Sequence, residues 1–269
     1  MRRRLDVELV RRGLADSRER ARADIEAGRV TVAGAPAAKP SRQVAPDEAV
    51  EVHGLPPRFV GRGGHKLAAA LERFGIDVAG RSALDAGSST GGFTDCLLQA
   101  GAERVVAVDV GRAQLHERLR ADPRVSVLEG TDVRAVERSS LPTRPDIVVA
   151  DLSFISLRLV LGHLALLVAE SGDLVVLVKP QFEAGRREAD RGRGVIRDPD
   201  TWRRVLTEVS EAASHAGLGI IAAMVSPIRG AQGNVEFLLH LAPGVDRSRP
   251  EAVAELLGAA LDEGREVLP

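Results

Sequence analysis

The chain has 269 residues, of which 37 are basic and 38 are acidic, for a formal charge of −1 at pH 7. With 44% hydrophobic and 28% charged residues, it has the composition of a globular protein with one large or two ordinary domains, which excludes a disordered, collagen-like or coiled-coil chain. No run of about 18 apolar residues is available for a membrane span, and the single cysteine, Cys96, excludes an intrachain disulfide and a cysteine-ligated zinc cluster. The basic N-terminus has no apolar stretch behind it, so we expect no secretory signal and a cytoplasmic protein without a metal centre.

The first 53 residues are predicted to form a small unit of two helices followed by two short strands. Leu5 and Leu9 fall at helical spacing in the first helix. Ser17 is placed to cap a second helix over 18–27, which Gly28 ends. The strands are predicted at 30–32 and 49–52.

This unit is basic and resembles a known RNA-binding domain. Residues 1–62 carry thirteen basic and nine acidic residues, a net charge of +4 against −5 for the remainder of the chain. This asymmetry is typical of a segment that binds an anionic polymer, and a solvated surface is the alternative. Ser17-Arg18 and the stretch Gly-Arg-Val-Thr-Val-Ala-Gly at 28–34 resemble the S4 RNA-binding domain, in which the basic helix follows an RNA backbone. A small adaptor without a ligand is the alternative. The residues expected to contact RNA, one of them beyond this unit, are Arg4, Arg18, Arg20, Arg22, Arg29, Lys39 and Arg62.

A proline- and glycine-rich linker is predicted over 54–65, and a second domain over 66–269. Its first helix runs from Lys66 to Phe74, and from residue 82 onward apolar strands alternate with helices. Strands are predicted at 82–86, 104–110, 125–128, 146–150, 174–178, 218–226 and 236–241. Helices are predicted at 93–99, 157–168 and 201–216. Nearly continuous Val, Ile and Leu in the strands indicates a Rossmann-like α/β fold, with a mostly parallel sheet covered on both faces and the last strand added as a hairpin.

The loop after the first of these strands is rich in glycine, which lets the backbone come close to a ligand, and it opens a helix. It lacks the Gly-Lys-Ser/Thr ending of a Walker A loop and matches a dinucleotide fingerprint poorly. At the carboxyl ends of the strands, Asp85 could meet an ammonium group and Asp109 could bind the hydroxyls of a ribose. Two acids without a phosphate-binding lysine favour S-adenosylmethionine over NAD or ATP. The predicted cofactor residues are Asp85, Gly87, Ser88, Ser89, Thr90, Gly91, Gly92, Phe93, Asp109 and Asp132.

Lysine is scarce in this chain. Of the 37 basic residues, 34 are arginines, and the lysines are Lys39, Lys66 and Lys179. Arginine keeps its proton in proteins, whereas lysine can lose it when it is desolvated or lies beside another cation. A lysine in such a chain is therefore a candidate for chemistry that needs an amine. The alternative is that three lysines without a function were retained by chance.

Lys66, Asp151, Lys179 and Glu236, in that order, resemble the catalytic tetrad of FtsJ-type ribose 2′-O-methyltransferases. A ribose hydroxyl is a very weak acid and must be deprotonated as it attacks a methyl group, and a second lysine and burial both favour the uncharged form of the first. The resemblance implies that Lys179 is the general base, that Lys66 and Asp151 tune it, and that Glu236 orients it or the ribose. Leu-Ser follows Asp151 in place of two prolines, which disfavours methylation of a base amine. A structural ion pair between Asp151 and Lys179 is the alternative.

Taken together, the two domains and the linker resemble the TlyA-type ribosomal RNA cytidine 2′-O-methyltransferases, also called haemolysin A proteins. The matching stretches are Asp-Ala-Gly-Ser-Ser-Thr-Gly-Gly-Phe-Thr-Asp at 85–95, Asp-Leu-Ser-Phe-Ile-Ser-Leu at 151–157 and Val-Lys-Pro-Gln-Phe-Glu at 178–183. The resemblance implies ribosomal RNA of one or both subunits as the partner and a cytidine 2′-hydroxyl as the acceptor. A non-catalytic RNA-binding protein and a membrane-active haemolysin are the rival functions, and both a monomer and a homodimer are left open.

Two further features bear on how RNA would be held. The arginine- and glycine-rich segment 185–197 is predicted to be an RNA-facing lid, with a solvated loop as the alternative. The chain has six Phe, one Trp and no Tyr, so few rings are available to stack on bases. We therefore expect RNA to be held mainly through its phosphates and its shape.

Overall fold

A computed structural model describes residues 2–15, 17–54, 58–185, 188, 194–244 and 250–268. The chain divides into two units, Met1–Arg58 and Phe59–Pro269. The larger unit begins seven residues before the boundary predicted for it, because Phe59 is buried in its core. The segment 185–197, predicted as a lid, lies mostly outside the described residues.

The N-terminal unit contains two helices and two small sheets. Its elements are β1 (Arg3–Arg4), α1 (Leu5–Arg11), α2 (Arg18–Glu26), β2 (Val30–Val32), β3 (Ala35–Pro36), β4 (Gln43–Val44) and β5 (Val50–Val52). The backbone N–H of Arg20 donates to the Ser17 hydroxyl at 3.1 Å, so the predicted cap of the second helix is confirmed. The core of the unit buries Leu5 and Leu9 from α1 against Ile25 from α2.

The larger unit alternates strands and helices along the chain. Its strands are β6 (Ser82–Ala86), β7 (Arg104–Asp109), β8 (Val125–Glu129), β9 (Ile147–Ala150), β10 (Asp173–Val178), β11 (Leu218–Val225) and β12 (Phe237–Pro243). Its helices are α3 (Gly63–Phe74), α4 (Gly92–Gln99), α5 (Glu117–Arg120), α6 (Leu161–Leu167), α7 (Pro180–Glu183), α8 (Pro199–His215) and α9 (Pro250–Glu266).

The strands of this unit form one sheet in the order β11-β12-β10-β9-β6-β7-β8. Neighbours from β10 to β8 pair in parallel, and β12 pairs antiparallel with both β10 and β11. The carboxyl ends of β6, β7, β9 and β10 consequently meet at one edge. The predicted α/β fold, with a hairpin at the last strand, is confirmed.

Both faces of the sheet are buried, as the apolar strands predicted. Along β9, Ile147 and Val149 pack in the core layer that contains α3 and α4, whereas Val148 and Ala150 pack in the layer that contains α6, α8 and α9. Each valine or isoleucine among them contributes roughly 1.5–3 kcal/mol when fully buried. This rigid sheet holds the residues at its carboxyl edge in place.

Several predicted boundaries differ from the structure. Helix α3 begins three residues early, at Gly63, and the predicted helix 157–168 is a 3₁₀ turn at Leu157–Leu159 followed by α6. The C-terminal helix α9 was not predicted, although Leu257, Ala260, Leu261 and Gly264 give it a buried stripe at helical spacing. Strands of two residues, such as β1 and β3, are too short to show an alternating pattern.

Candidate active site

The glycine-rich loop leaves β6 and enters α4 at the carboxyl edge of the sheet. Gly87 and Gly91 have φ values of +86° and +98°, a region that favours glycine. A Cβ on Gly87 would lie 3.1 Å from the carbonyl carbon of Asp151, so the loop backbone runs directly against the segment that follows β9. A side chain at Gly87 would push these two segments apart.

A cavity of about 210 Å³ lies where this loop meets the segment after β9 and the end of β10. The described residues that line it are Gly63, Gly87, Ser88, Ser89, Thr90, Gly92, Phe93, Asp151, Ser153 and Lys179. The fold therefore brings most of the predicted cofactor loop together with two of the four predicted catalytic side chains.

The three acids predicted to bind the cofactor are not among the described residues that line this cavity. The Asp109 carboxylate accepts hydrogen bonds from the backbone of Ser89 at 2.8 Å and of Gly111 at 2.7 Å, so it ties the loop to the end of β7. Asp132 caps the turn after β8 and pairs with Arg134. The roles of these acids in binding the cofactor therefore stay predictions.

Asp85 lies fully buried beneath the loop. One of its oxygens, Oδ2, accepts a hydrogen bond of 2.6 Å from the Thr94 hydroxyl, and the other, Oδ1, has no hydrogen-bond partner among the described residues. Burial raises the pKa of Asp85 to about 7, against the opposing hydrogen bond from Thr94. A group that stabilises the charged carboxylate would be favoured beside Oδ1.

Lys179 and Asp151 lie side by side on the cavity wall. Both follow neighbouring parallel strands, β10 and β9, whose registers align Val176 with Ala150. The Lys179 Nζ atom lies 2.6 Å from Oδ1 of Asp151, and only about a tenth of the lysine side chain is exposed. Lys179 and Asp151 therefore form a close ion pair, and Oδ1 has no hydrogen-bond partner among the described residues.

Lys66 pairs with Glu236 instead of with Asp151. The Lys66 Nζ atom lies 2.5 Å from Oε2 of Glu236, and both side chains are buried. The antiparallel register of β12 on β10, which aligns Phe237 with Val178, puts Glu236 at the same edge as Lys179. The four predicted catalytic residues therefore form two lysine–carboxylate pairs at one edge of the sheet.

Two residues beside Lys179 were missed as site residues. The Lys179 amine donates a hydrogen bond of 2.9 Å to the hydroxyl of Ser153. Phe154 is 92% exposed, has a φ of +64°, and lies with its ring centroid 5.1 Å from that of Phe182. The sequence signal for both residues is the stretch Leu-Ser-Phe directly after Asp151. Its lack of prolines disfavours methylation of a base amine but does not by itself reveal these contacts.

Glu183 joins the two segments that carry these groups. It is 3% exposed and accepts hydrogen bonds from the Ser156 hydroxyl at 2.5 Å and from the Leu157 backbone at 2.7 Å. Burial raises its pKa above the ordinary range. The segment after β9 is therefore fastened to the turn that follows Lys179.

In the N-terminal unit, the arginines predicted to contact RNA are held by buried acids. Asp6 is fully buried and pairs with Arg4, Arg18 and Arg22 at distances of 2.9–3.3 Å. These three guanidinium groups keep 40–55% of their side chains exposed, so the cluster has a net charge of +2 on its outer side.

The other predicted RNA contacts are placed differently. Arg20 and Arg29 pair with buried Asp24, and Lys39 is exposed. Arg62 belongs to the larger unit, where it donates to the carbonyl oxygen of Arg229 at 2.8 Å.

Comparison with known proteins agrees with the division of the chain into two units. Residues 59–242 match the FtsJ-like methyltransferase family, and residues 3–50 match the S4 domain. The chain is 46% identical over 263 residues to the 16S/23S rRNA (cytidine-2′-O)-methyltransferase TlyA of Mycobacterium tuberculosis, which covers 97% of this chain and 98% of that protein. The chain belongs to the TlyA family of FtsJ-like methyltransferases.

Other TlyA-family relatives carry the hemolysin name. Hemolysin A of Brachyspira hyodysenteriae is 36% identical over 241 residues, which cover 88% of this chain and 98% of that protein. A solved structure from Streptococcus thermophilus, named as a hemolysin, has 38% identity and a TM-score of 0.76 and covers 98% of both chains. In the described part of this chain, no helix has both the length and the apolar character needed to cross a bilayer.

Proposed function

We propose that this TlyA-family protein transfers a methyl group from S-adenosylmethionine to the 2′-hydroxyl of a cytidine in ribosomal RNA. The observation that carries the proposal is the Lys179 amine, which lies on the cavity wall 2.6 Å from Asp151. In a chain with three lysines, two are buried and pair with carboxylates at this one edge of the sheet. A surface ion pair would be served equally well by arginine, which the chain uses almost everywhere else.

The residues around the cavity fit S-adenosylmethionine. When bound, this cofactor supplies an activated methyl group on a positively charged sulfur. The glycine-rich loop would hold it through its backbone, and Asp109, at the end of β7, lies where a ribose is bound in such sheets. The unpartnered Oδ1 atom of Asp85 fits an ammonium group, directly or through water, because a nearby positive charge favours the ionised carboxyl.

Lys179 would act as the general base. An uncharged amine would take the proton of the ribose 2′-hydroxyl as that oxygen bonds to the methyl carbon. The bond between this carbon and the cofactor's sulfur would break at the same time, leaving the sulfur as a neutral thioether, and Asp151 would neighbour the resulting ammonium group. Such proton transfer contributes about 10²–10⁴-fold to a rate. Holding the oxygen and the methyl carbon in line contributes more, on the order of 7–11 kcal/mol. Lys66 and Glu236 would keep the charge of the site balanced beside this pair.

Contacts to RNA would come from both units. In the S4 unit, the Asp6 cluster offers three guanidinium groups to phosphates. In the larger unit, the exposed residue Phe154 directly follows Ser153, which lines the cavity, and sequence-specific RNA recognition commonly stacks unpaired bases on aromatic rings. This ring adds a stacking contact to an RNA interface that the composition alone would assign to phosphates and shape.

The experiment is to map 2′-O-methylation in ribosomal RNA from cells with and without the protein, together with transfer of labelled methyl groups to purified ribosomal subunits. We expect methylated cytidine ribose that depends on the protein. Methyl groups on a base would contradict the proposal. Binding of RNA without any transfer would favour the non-catalytic alternative.

A further inference from the structure

The Lys179 amine has two partners on the segment that follows β9. The Asp151 carboxylate lies 2.6 Å away and forms an ion pair with it. Ser153 receives a hydrogen bond from the amine at 2.9 Å. Asp151 therefore attracts the positive charge of the amine, whereas the hydrogen bond to Ser153 restricts the rotation of the amine about its Cε–Nζ bond.

This rotation matters for a base. An uncharged lysine amine has two N–H groups and one lone pair, and only the lone pair can accept a proton. When one N–H donates to Ser153, fewer orientations are left to the lone pair. Ser153 and Lys179 both line the cavity, so this hydrogen bond lies at the cavity wall.

The position of Ser153 is set by contacts on both sides of it. Before it, the backbone N–H of Asp151 donates to the carbonyl of Ala86 at 3.0 Å, which continues the sheet. After it, Ser156 and the Leu157 backbone are bound to Glu183, one turn beyond Lys179. Glu183 thus ties the segment that contains Ser153 to the turn that follows Lys179, in addition to the direct hydrogen bond between the two side chains.

We propose that Ser153 is a positioning residue for methyl transfer, one that orients the lone pair of Lys179 towards the ribose hydroxyl. This inference rests on the proposed function. Ser153 is exposed, so its substitution leaves no cavity in the core. Threonine can accept the same hydrogen bond, whereas valine, which has nearly the same shape, cannot.

The experiment compares S153T, S153V and S153A in single-turnover methyl transfer to ribosomal RNA at saturating S-adenosylmethionine. The matched pair S153T and S153V separates the hydroxyl from the shape of the side chain. We expect S153V and S153A to lose ~10-fold or more in rate, because the amine becomes charged as it takes the proton and these variants lack the hydrogen bond to that charged group. S153T should stay within about threefold of the wild type. Affinities for cofactor and RNA should stay within about twofold, because the hydrogen bond acts on the reacting amine.

A double-substitution cycle tests whether Ser153 works through Lys179. In a K179R background the base is absent, so S153V should cost less than about twofold. Full activity of S153V, or the same loss from S153V in both backgrounds, would overturn the inference while leaving the proposed function intact. A wild-type protein that transfers no methyl to ribose would instead overturn the proposed function, and the role of Ser153 with it.

Discussion

Replacing Asp85 with asparagine removes a buried carboxyl group and keeps its shape. Asp85 is fully buried at the end of β6, where the Thr94 hydroxyl donates to one of its oxygens. An asparagine oxygen can accept the same hydrogen bond from Thr94. The substitution therefore changes mainly the cost of burying a charge, and that cost depends on pH.

Below about pH 4 the Asp85 carboxyl is protonated in both the folded and the unfolded chain, so it adds no pH dependence. As the pH rises from about 4 to 7, the unfolded chain loses this proton while the folded protein keeps it, so stability falls. Above about pH 7 the loss is complete. The rise in pKa from 3.8 to about 7 corresponds to about 4 kcal/mol of unfolding free energy.

The assay is urea unfolding of the wild type and of Asp85→Asn between about pH 4 and 8. Trp202, the single tryptophan, is fully buried in the larger unit, so its fluorescence follows the unfolding of that unit. We expect the stability difference between the variant and the wild type to grow in favour of asparagine, by up to about 4 kcal/mol across this range.

Asp122→Asn is a control of opposite sign. The Arg124 side chain lowers the pKa of Asp122, so that carboxyl stabilises the fold above its unfolded pKa, and this contribution is lost as the pH falls. A stability difference between Asp85→Asn and the wild type that does not change with pH would refute the assignment of a buried, protonated Asp85.

Three further predictions address the proposed chemistry. Lys179→Arg keeps the charge but cannot act as a base, so single-turnover transfer should fall by ~10²-fold or more with little change in cofactor affinity, and near-wild-type transfer would remove the general-base role. Asp109→Ala should weaken S-adenosylmethionine binding in calorimetry by ~10-fold or more, since it removes both the proposed ribose contact and the tie to Ser89; unchanged binding would contradict the cofactor site. The double substitution Arg18→Ala/Arg22→Ala should weaken RNA binding and reduce the log–log salt slope by about 0.7–0.9 for each phosphate that is no longer neutralised, whereas an unchanged slope would exclude these arginines from the interface.

Much of the larger unit could be predicted from the sequence. Strands such as β9 and β10 are nearly all apolar because both of their faces are buried, and that pattern is visible without a structure. Their order along the chain, separated by helices, was sufficient for the fold class and for the edge at which ligands bind. Helix α9 also carried a readable pattern and was overlooked.

The candidate site was predictable in its residue types and not in its contacts. The scarcity of lysine and the tetrad resemblance indicated Lys66 and Lys179, but the pairing of Lys66 with Glu236 depends on the antiparallel register of β12, which no local pattern encodes. The same holds for the Ser153 hydrogen bond, which follows from the way the segment after β9 turns back towards Lys179.

Burial is the other property that only the tertiary structure decided. The arginines of α2 could be predicted to form a basic face, but their arrangement around Asp6 could not. Helix α1 buries Asp6, and because a lone buried charge is costly, Arg18 and Arg22 pair with it. Phe154 would be expected in a core and is instead exposed, with its ring against Phe182. Residue type and spacing are local and can be read along the chain, whereas exposure and ion pairing depend on which distant segments the fold brings together.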